Sequence, residues 1–230
     1  MRHYLSFGGG VNSVALYLLM EELGMDFEAV FVDHGGDLPE TYEYIEYFSS
    51  RYPLTVLQAE VHKKKIGKTW YSIIDYCRDT KRIPLQYPRW CTGDWKRIQV
   101  NRYIERPCFM HIGIDSGECH RAKMNTASGV ESRWLLIEHG IDRQGCIDLI
   151  RRHGLSVPPK SGCYICPFQS DRQLKDLRRD HPDLFCILRR LEEEAGQTLK
   201  RGVSALSRTE NNYSLFPDLV YDYPPCECSL

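Results

Sequence analysis

Two groups of residues in this chain have types and spacing that could do chemistry. The first is Gly8-Gly9-Gly10-Val11-Asn12-Ser13, between a short apolar run ending at Phe7 and a helical pattern from Asn12. At a strand-to-helix junction, backbone N–H groups and the helix N-terminus make an anion site. Glycines let phosphate approach without a Cβ in the way, and Ser13 can donate its hydroxyl to a phosphate oxygen. The loop is not a Walker A loop, which ends Gly-Lys-Ser/Thr, nor a dinucleotide fingerprint, whose glycines are spaced differently. The second group is Cys163-Tyr164-Ile165-Cys166-Pro167-Phe168. This spacing lets two thiolates face one metal or cluster. A redox pair, half of a zinc site and unliganded thiols remain open on spacing alone. Arg89-Trp90-Cys91 offers a third thiol, and Pro224-Pro225-Cys226-Glu227-Cys228 two more.

The whole chain limits these readings. It has 230 residues, enough for one large domain with an appendage. Lys plus Arg is 30 against 31 Asp plus Glu, a formal charge of −1, which excludes coating of nucleic acid by bulk charge. Between Arg151 and Arg201, however, 11 Lys/Arg face 7 Asp/Glu, so the segment around the paired cysteines is basic. Solvated helix faces and a patch for an anionic substrate both explain that excess. No long apolar run suggests a membrane helix, and the N-terminal apolar stretch is too short for a signal peptide. The expected location is therefore cytoplasmic. There, ten cysteines are reduced thiols, ligands or redox groups rather than a disulfide framework. Cys77, Cys146 and Cys186, in apolar helix positions, and Cys108, opening a strand, read as core. Cys119 is a site neighbour of uncertain role. The eight histidines show no metal-binding spacing; His34 and His120 read as polar loop residues.

Elements must position these groups. His3–Phe7, Glu28–Asp33 and Leu54–Leu57 read as strands, with helices over Asn12–Leu23 and Pro39–Tyr52 between them. This βαβαβ order predicts an α/β fold with a parallel, Rossmann-like sheet and helices on both faces. Lys63 to Arg102 reads as a long loop with one or two helices. Cys108–Ile114 and Trp134–Ile137 read as strands. Asp142–His153, Ser170–Arg179 and Pro182–Ala195 read as helices, and the chain from Thr198 as weakly structured. The boundaries expected are a nucleotide-binding domain over 1–157 and a C-terminal helical region over 158–230. In an open parallel sheet, ligands bind beyond the carboxyl ends of the strands. Asp33, Asp37, Asp115 and Glu118 would lie there, able to hold Mg²⁺ on ATP or to accept from ribose and adenine.

Ser6 to Ser13 resembles the PP-loop of the N-type ATP pyrophosphatases, Ser-Gly-Gly-x-Asp-Ser, and more closely that of the phosphoadenosine phosphosulfate (PAPS) reductase-like branch. Gly8 stands for the first Ser, Val11 where Lys is frequent, and Asn12 for Asp, which removes one positive and one negative charge. Phe31 to Tyr42 is similar to the family's second strand and following loop. Ile112 to Arg121 is similar to its Gly-Ile-x-x-x-Glu-x-x-Arg segment, whose acid and arginine border the active site. The resemblance runs over roughly residues 1 to 195.

What the resemblance implies is specific. Gly8, Gly9, Gly10, Asn12, Ser13, Asp33 and Asp115 would bind ATP or a related adenine nucleotide. Asp33, Glu118 and Arg121 would serve catalysis. Cys91, Cys163 and Cys166 would hold an iron–sulfur cluster of the 4Fe–4S kind, with zinc as the lesser alternative. The cluster would carry sulfur to an acceptor, with nucleic acid among the candidates; by their charge, Lys63 to Lys65 and the Arg-rich helices could contact its phosphates. A reductive alternative uses Cys228 as nucleophile, as in PAPS or adenylyl-sulfate reductases, with a thioredoxin-like reductant. A nucleotide-binding module without turnover is the third reading. The partners foreseen are the nucleotide, the acceptor, a sulfur donor or reductant, and a second copy of the chain, but no membrane.

Overall fold

The computed structural model describes residues 1–123 and 127–210. Strands β1 (Arg2–Ser6), β2 (Glu28–Asp33) and β3 (Thr55–Gln58) alternate with helices α1 (Val11–Glu22) and α2 (Pro39–Ser49). A hairpin, β4 (Val61–Lys63) and β5 (Lys68–Trp70), leads to α3 (Ile73–Thr80). A helical run follows: α4 (Trp90–Thr92), a π-turn (Gly93–Arg97) and α5 (Ile98–Tyr103). Then come β6 (Cys108–Ile112), a 3₁₀ turn (Ser116–Arg121), β7 (Val130–Arg133), α6 (Leu135–Glu138) and α7 (Arg143–Arg152). Helices α8 (Asp171–Asp180), α9 (Pro182–Ala195) and α10 (Ala205–Glu210) complete the described chain.

The main sheet has the order β3-β2-β1-β6-β7, and every pair in it is parallel. Alternate residues of a strand point to opposite faces, and the core divides accordingly. Leu5, Phe7, Ala29 and Phe31 pack under α1, α2 and α7. Tyr4, Val30, Val32, Met110 and Ile112 pack with Trp95, Tyr164 and the apolar faces of α3, α8 and α9. Both faces are covered, as a parallel sheet requires. Strand order reverses direction between β1 and β6. The crevice at their carboxyl ends is where such a sheet binds ligands.

Four expectations are corrected. Lys63 to Arg102 contains the β4–β5 hairpin, hidden by its run of lysines; Gly67, at φ +66°, closes the turn. The strand expected over Trp134–Ile137 is Val130–Arg133, and Leu135–Glu138 is a short helix. Val-Glu-Ser-Arg is an edge strand with only Val130 and Ser132 buried, so its polar composition concealed it. Cys186 is exposed: α9 buries Phe185, Leu188, Leu191 and Glu192, and Cys186 is one residue round from Phe185. Beyond Thr198 the chain forms a bridge between Lys200 and Val203, then α10.

Candidate functional site

The glycine loop leaves β1 at the sheet's carboxyl edge. Gly9 turns at φ +69°, a left-handed conformation that favours glycine. Gly10 is the N-cap of α1, and Val14 N–H donates to its carbonyl. The first-turn N–H groups of α1 therefore have no partner within the helix. The loop carries no cationic side chain. Ser13 Oγ donates to the Gly10 carbonyl at 2.9 Å, which turns the hydroxyl back onto the loop.

The segment after β6 closes one side of this loop. A Cβ on Gly113 would meet backbone C of Asn12 and N of Ser13, each at 2.9 Å, so glycine is required for the approach. Asn12 is held at both ends of its amide. Its Nδ2 donates to Asp115 Oδ2 at 3.0 Å, and its Oδ1 accepts from Arg143 Nη1 at 3.1 Å. Asp115 is buried. Glu118 forms an ion pair with Arg121, and both are largely shielded from solvent. Burial raises the Glu118 carboxyl, Asp115 adds to the rise, and Arg121 opposes it. A shielded carboxyl of that kind suits proton transfer.

The loop after β2 closes the other side and carries the cysteines. Asp33 Oδ1 accepts from Gly35 N–H and from Tyr42 Oη, both at 2.8 Å. Burial, with Asp37 and Asp33 nearby, pushes the Tyr42 hydroxyl well above its usual range, so it remains a donor. Asp37 pairs through its backbone with Cys163. Leu38 N–H donates to Gly162 O, and Tyr164 N–H to Gly36 O. A Cβ on Gly10 would meet Ser161 Oγ at 2.6 Å, so the cysteine segment also covers the glycine loop. The three segments thus share one edge of the sheet.

His34, read as a polar loop residue, and Asp37, read among the carboxylates at the sheet edge, are buried against Cys163. His34 Nε2 lies 3.5 Å from Cys163 Sγ and 3.5 Å from Asp37 Oδ1. These three ligand atoms lie within 4.8 Å of one another, close enough for one metal ion. Gly36 N–H donates to His34 Nδ1 at 3.2 Å, which leaves the ring proton on Nε2, facing Cys163. That arrangement favours an N–H···S hydrogen bond over a metal bond at Nε2. Position 34 directly follows the end of a strand, the one local signal that could have marked it.

Cys163 and Cys166 lie in a turn closed by Cys166 N–H to Cys163 O at 3.2 Å, and both are half-buried. Cys91, also half-buried, opens the helical run. Its segment docks on the cysteine turn at two points: Gln86 Nε2 donates to Pro167 O at 3.1 Å, and the Arg89 guanidinium lies 4.9 Å from the Phe168 ring centre. Three half-buried thiols on adjoining segments are a soft donor set, the chemistry an iron–sulfur cluster takes; the metal-ligating group within 4.8 Å joins Cys163 to His34 and Asp37 and includes neither Cys91 nor Cys166. A pocket of about 260 Å³, lined by Glu40, Lys160, Phe168 and His181 among others, opens beside Cys163 and Cys166. Cys77, Cys108 and Cys146 are buried; burial pushes the thiols of Cys77 and Cys146 up to about 12, so they are inert. Cys119 is exposed on the 3₁₀ turn. Cys226 and Cys228 lie outside the described residues.

Residues 2–83 match the family model of the phosphoadenosine phosphosulfate reductase domain. Two uncharacterized proteins of Methanocaldococcus jannaschii are similar to the chain. MJ0066 is 24% identical over 199 residues, covering 79% of this chain and 39% of its own length. MJ0973 is 21% identical over 198 residues, covering 78% and 45%. The chain therefore spans less than half the length of these relatives. Among the described residues, no helix is long and apolar enough to cross a membrane.

Proposed function

We propose that this chain, whose residues 2–83 match the PAPS reductase domain model, activates an acceptor with ATP or a related adenine nucleotide and transfers sulfur to it. The observation that carries the reading is the meeting of the glycine loop and the cysteine turn, packed so closely that a Cβ on Gly10 would strike Ser161. In this reading, N–H groups around Gly8, Gly9, Gly10 and Ser13 bind the phosphates. Asp33 and Asp115, at the ends of β2 and β6, orient the nucleotide or its Mg²⁺. An acceptor oxygen attacks the α-phosphate and pyrophosphate leaves, giving an adenylate. A sulfide equivalent then attacks the activated centre: the bond to sulfur forms, the bond to the adenylate oxygen breaks, and AMP leaves. Glu118 holds or moves a proton for the acceptor, and its ion pair with Arg121 positions it. Positioning and charge stabilisation supply most of the acceleration.

Cys91, Cys163 and Cys166 would hold the iron–sulfur cluster. When bound, the group would supply the sulfide that the transfer uses. His34 steadies the Cys163 sulfur through its N–H.

The experiment is a joint one. Protein purified without oxygen is analysed for iron, acid-labile sulfide and zinc, and the same preparation is assayed for ATP binding. Iron and sulfide together with ATP binding are expected, and each single substitution of Cys91, Cys163 or Cys166 should deplete the iron. Zinc without iron, or a cluster that survives all three losses, would refute the sulfur-transfer reading.

A further inference from the structure

A polyphosphate bound at the glycine loop brings several negative charges to a segment, Phe7 to Ser13, that has no cation of its own. Backbone N–H groups and one helix dipole offset only part of that charge. Another element must supply the remainder. The neighbouring Arg121 is already engaged by the Glu118 carboxylate. Arg143 reaches the loop from elsewhere. It is the first residue of α7, whose N-cap Asp142 accepts from Gly145 N–H at 2.8 Å. Helix α7 packs along α1 in the same core, and Ser116 N–H donates to Ile141 O, which fixes the start of α7 beside the segment after β6. From there Arg143 Nη1 donates to Asn12 Oδ1 at 3.1 Å. Asn12 cannot rotate away, because its Nδ2 is tied to the buried Asp115. The guanidinium is thus fixed at the N-terminus of α1 while its residue stays exposed. A guanidinium has five N–H donors, and Asn12 takes one.

We propose that Arg143 is the phosphate-binding cation of this site, delivered by α7 and aimed by Asn12. Its fork matches phosphate oxygens in a way that a point charge does not. The inference rests on the nucleotide reading above, and it makes position 143 the determinant of preference for a charged nucleotide over a nucleoside.

Equilibrium dialysis of the full chain with ATP and, separately, with adenosine tests this. In Arg143→Ala, ATP affinity should fall at least tenfold while adenosine affinity stays unchanged. Arg143→Lys should recover part of the loss, and the salt dependence of ATP binding should be shallower in the alanine variant. Arg143→Gln, which keeps the helix former, gives the same comparison if alanine disturbs α7. Unchanged ATP affinity in these variants overturns the proposal and leaves the nucleotide reading standing. An equal loss of ATP and adenosine also overturns it, because Arg143 would then be structural. A wild-type chain that binds neither removes the nucleotide reading and the proposal with it.

Discussion

Asn12 departs from the acidic residue of the motif it resembles, and its surroundings explain the departure. An aspartate there would turn a second carboxylate toward Asp115 across the present 3.0 Å contact and remove the N–H that Asp115 now accepts. Asn12→Asp should therefore destabilise the fold by about 1–3 kcal/mol at neutral pH, the cost of a buried acceptor left without its donor; thermal or urea unfolding measures it. An equally stable variant would show that the amide is not needed. Gly113→Ala drives a Cβ to 2.9 Å from the backbone of Asn12 and Ser13, and backbone cannot rotate aside. A loss of about 1–3 kcal/mol, as for other overpacked sites, should come with weakened ATP binding; calorimetry and dialysis report the two. Unfolding and binding that both match wild type would contradict the close approach. The glycine turn between β1 and α1 is legible in the sequence because its signal is local. The partners of Asn12 and Cys163 were not: Arg143 is 131 residues from Asn12, and His34 is 129 from Cys163. Residue type alone carries no information on such pairs.

Elements differ in how plainly they can be read. The first three strands and two helices follow apolar periodicity and glycine stops, and they stand within a few residues of expectation. The β4–β5 hairpin and β7 were missed because lysines and a Glu-Ser-Arg run give no apolar signal. Position within the sheet has a pH consequence. His111 on β6 is buried, with its Nε2 2.9 Å from His3 Nδ1. Burial first, then His3 and Arg133, lower its pKa from 6.5 to about 4. The folded chain keeps this ring neutral while the unfolded chain takes up a proton below pH 6.5. Stability should thus fall as pH drops from about 6.5 to about 4, by on the order of 3 kcal/mol from this group. Urea unfolding at several pH values reads it, and His111→Phe should flatten the slope; an unaltered slope would assign the effect elsewhere. At the other end, buried Glu192 on α9 accepts from Leu199 N–H at 2.9 Å and Ala205 N–H at 2.8 Å, tying down the chain that leads into α10. Glu192→Ala should cost about 2–3 kcal/mol, since hydrogen bonds to a charged acceptor are lost and two donors are stranded. Proteolysis after Thr198 should quicken in parallel, and unchanged rates would show that the tie is dispensable.

Across the whole molecule, part of the basic segment seen in the sequence is ion-paired surface. Arg179 meets Asp176 and Asp180, Arg189 meets Glu193, and Arg152 meets Glu22. Exposed pairs of this kind contribute little to stability. They also lessen the case for one anionic partner covering that segment. The fold instead brings together groups far apart in sequence: the glycine loop from the start of the chain, the segment after β6, and the cysteine turn. If these are one working site, nucleotide and cluster must sense each other. The direct measurement is electron paramagnetic resonance of the anaerobically purified, reduced protein with and without ATP. A cluster signal whose shape or relaxation changes on ATP addition, and does not change in Gly113→Ala, is the expected result. A cluster signal indifferent to saturating ATP, or no cluster signal at all, would contradict a single site for nucleotide and sulfur.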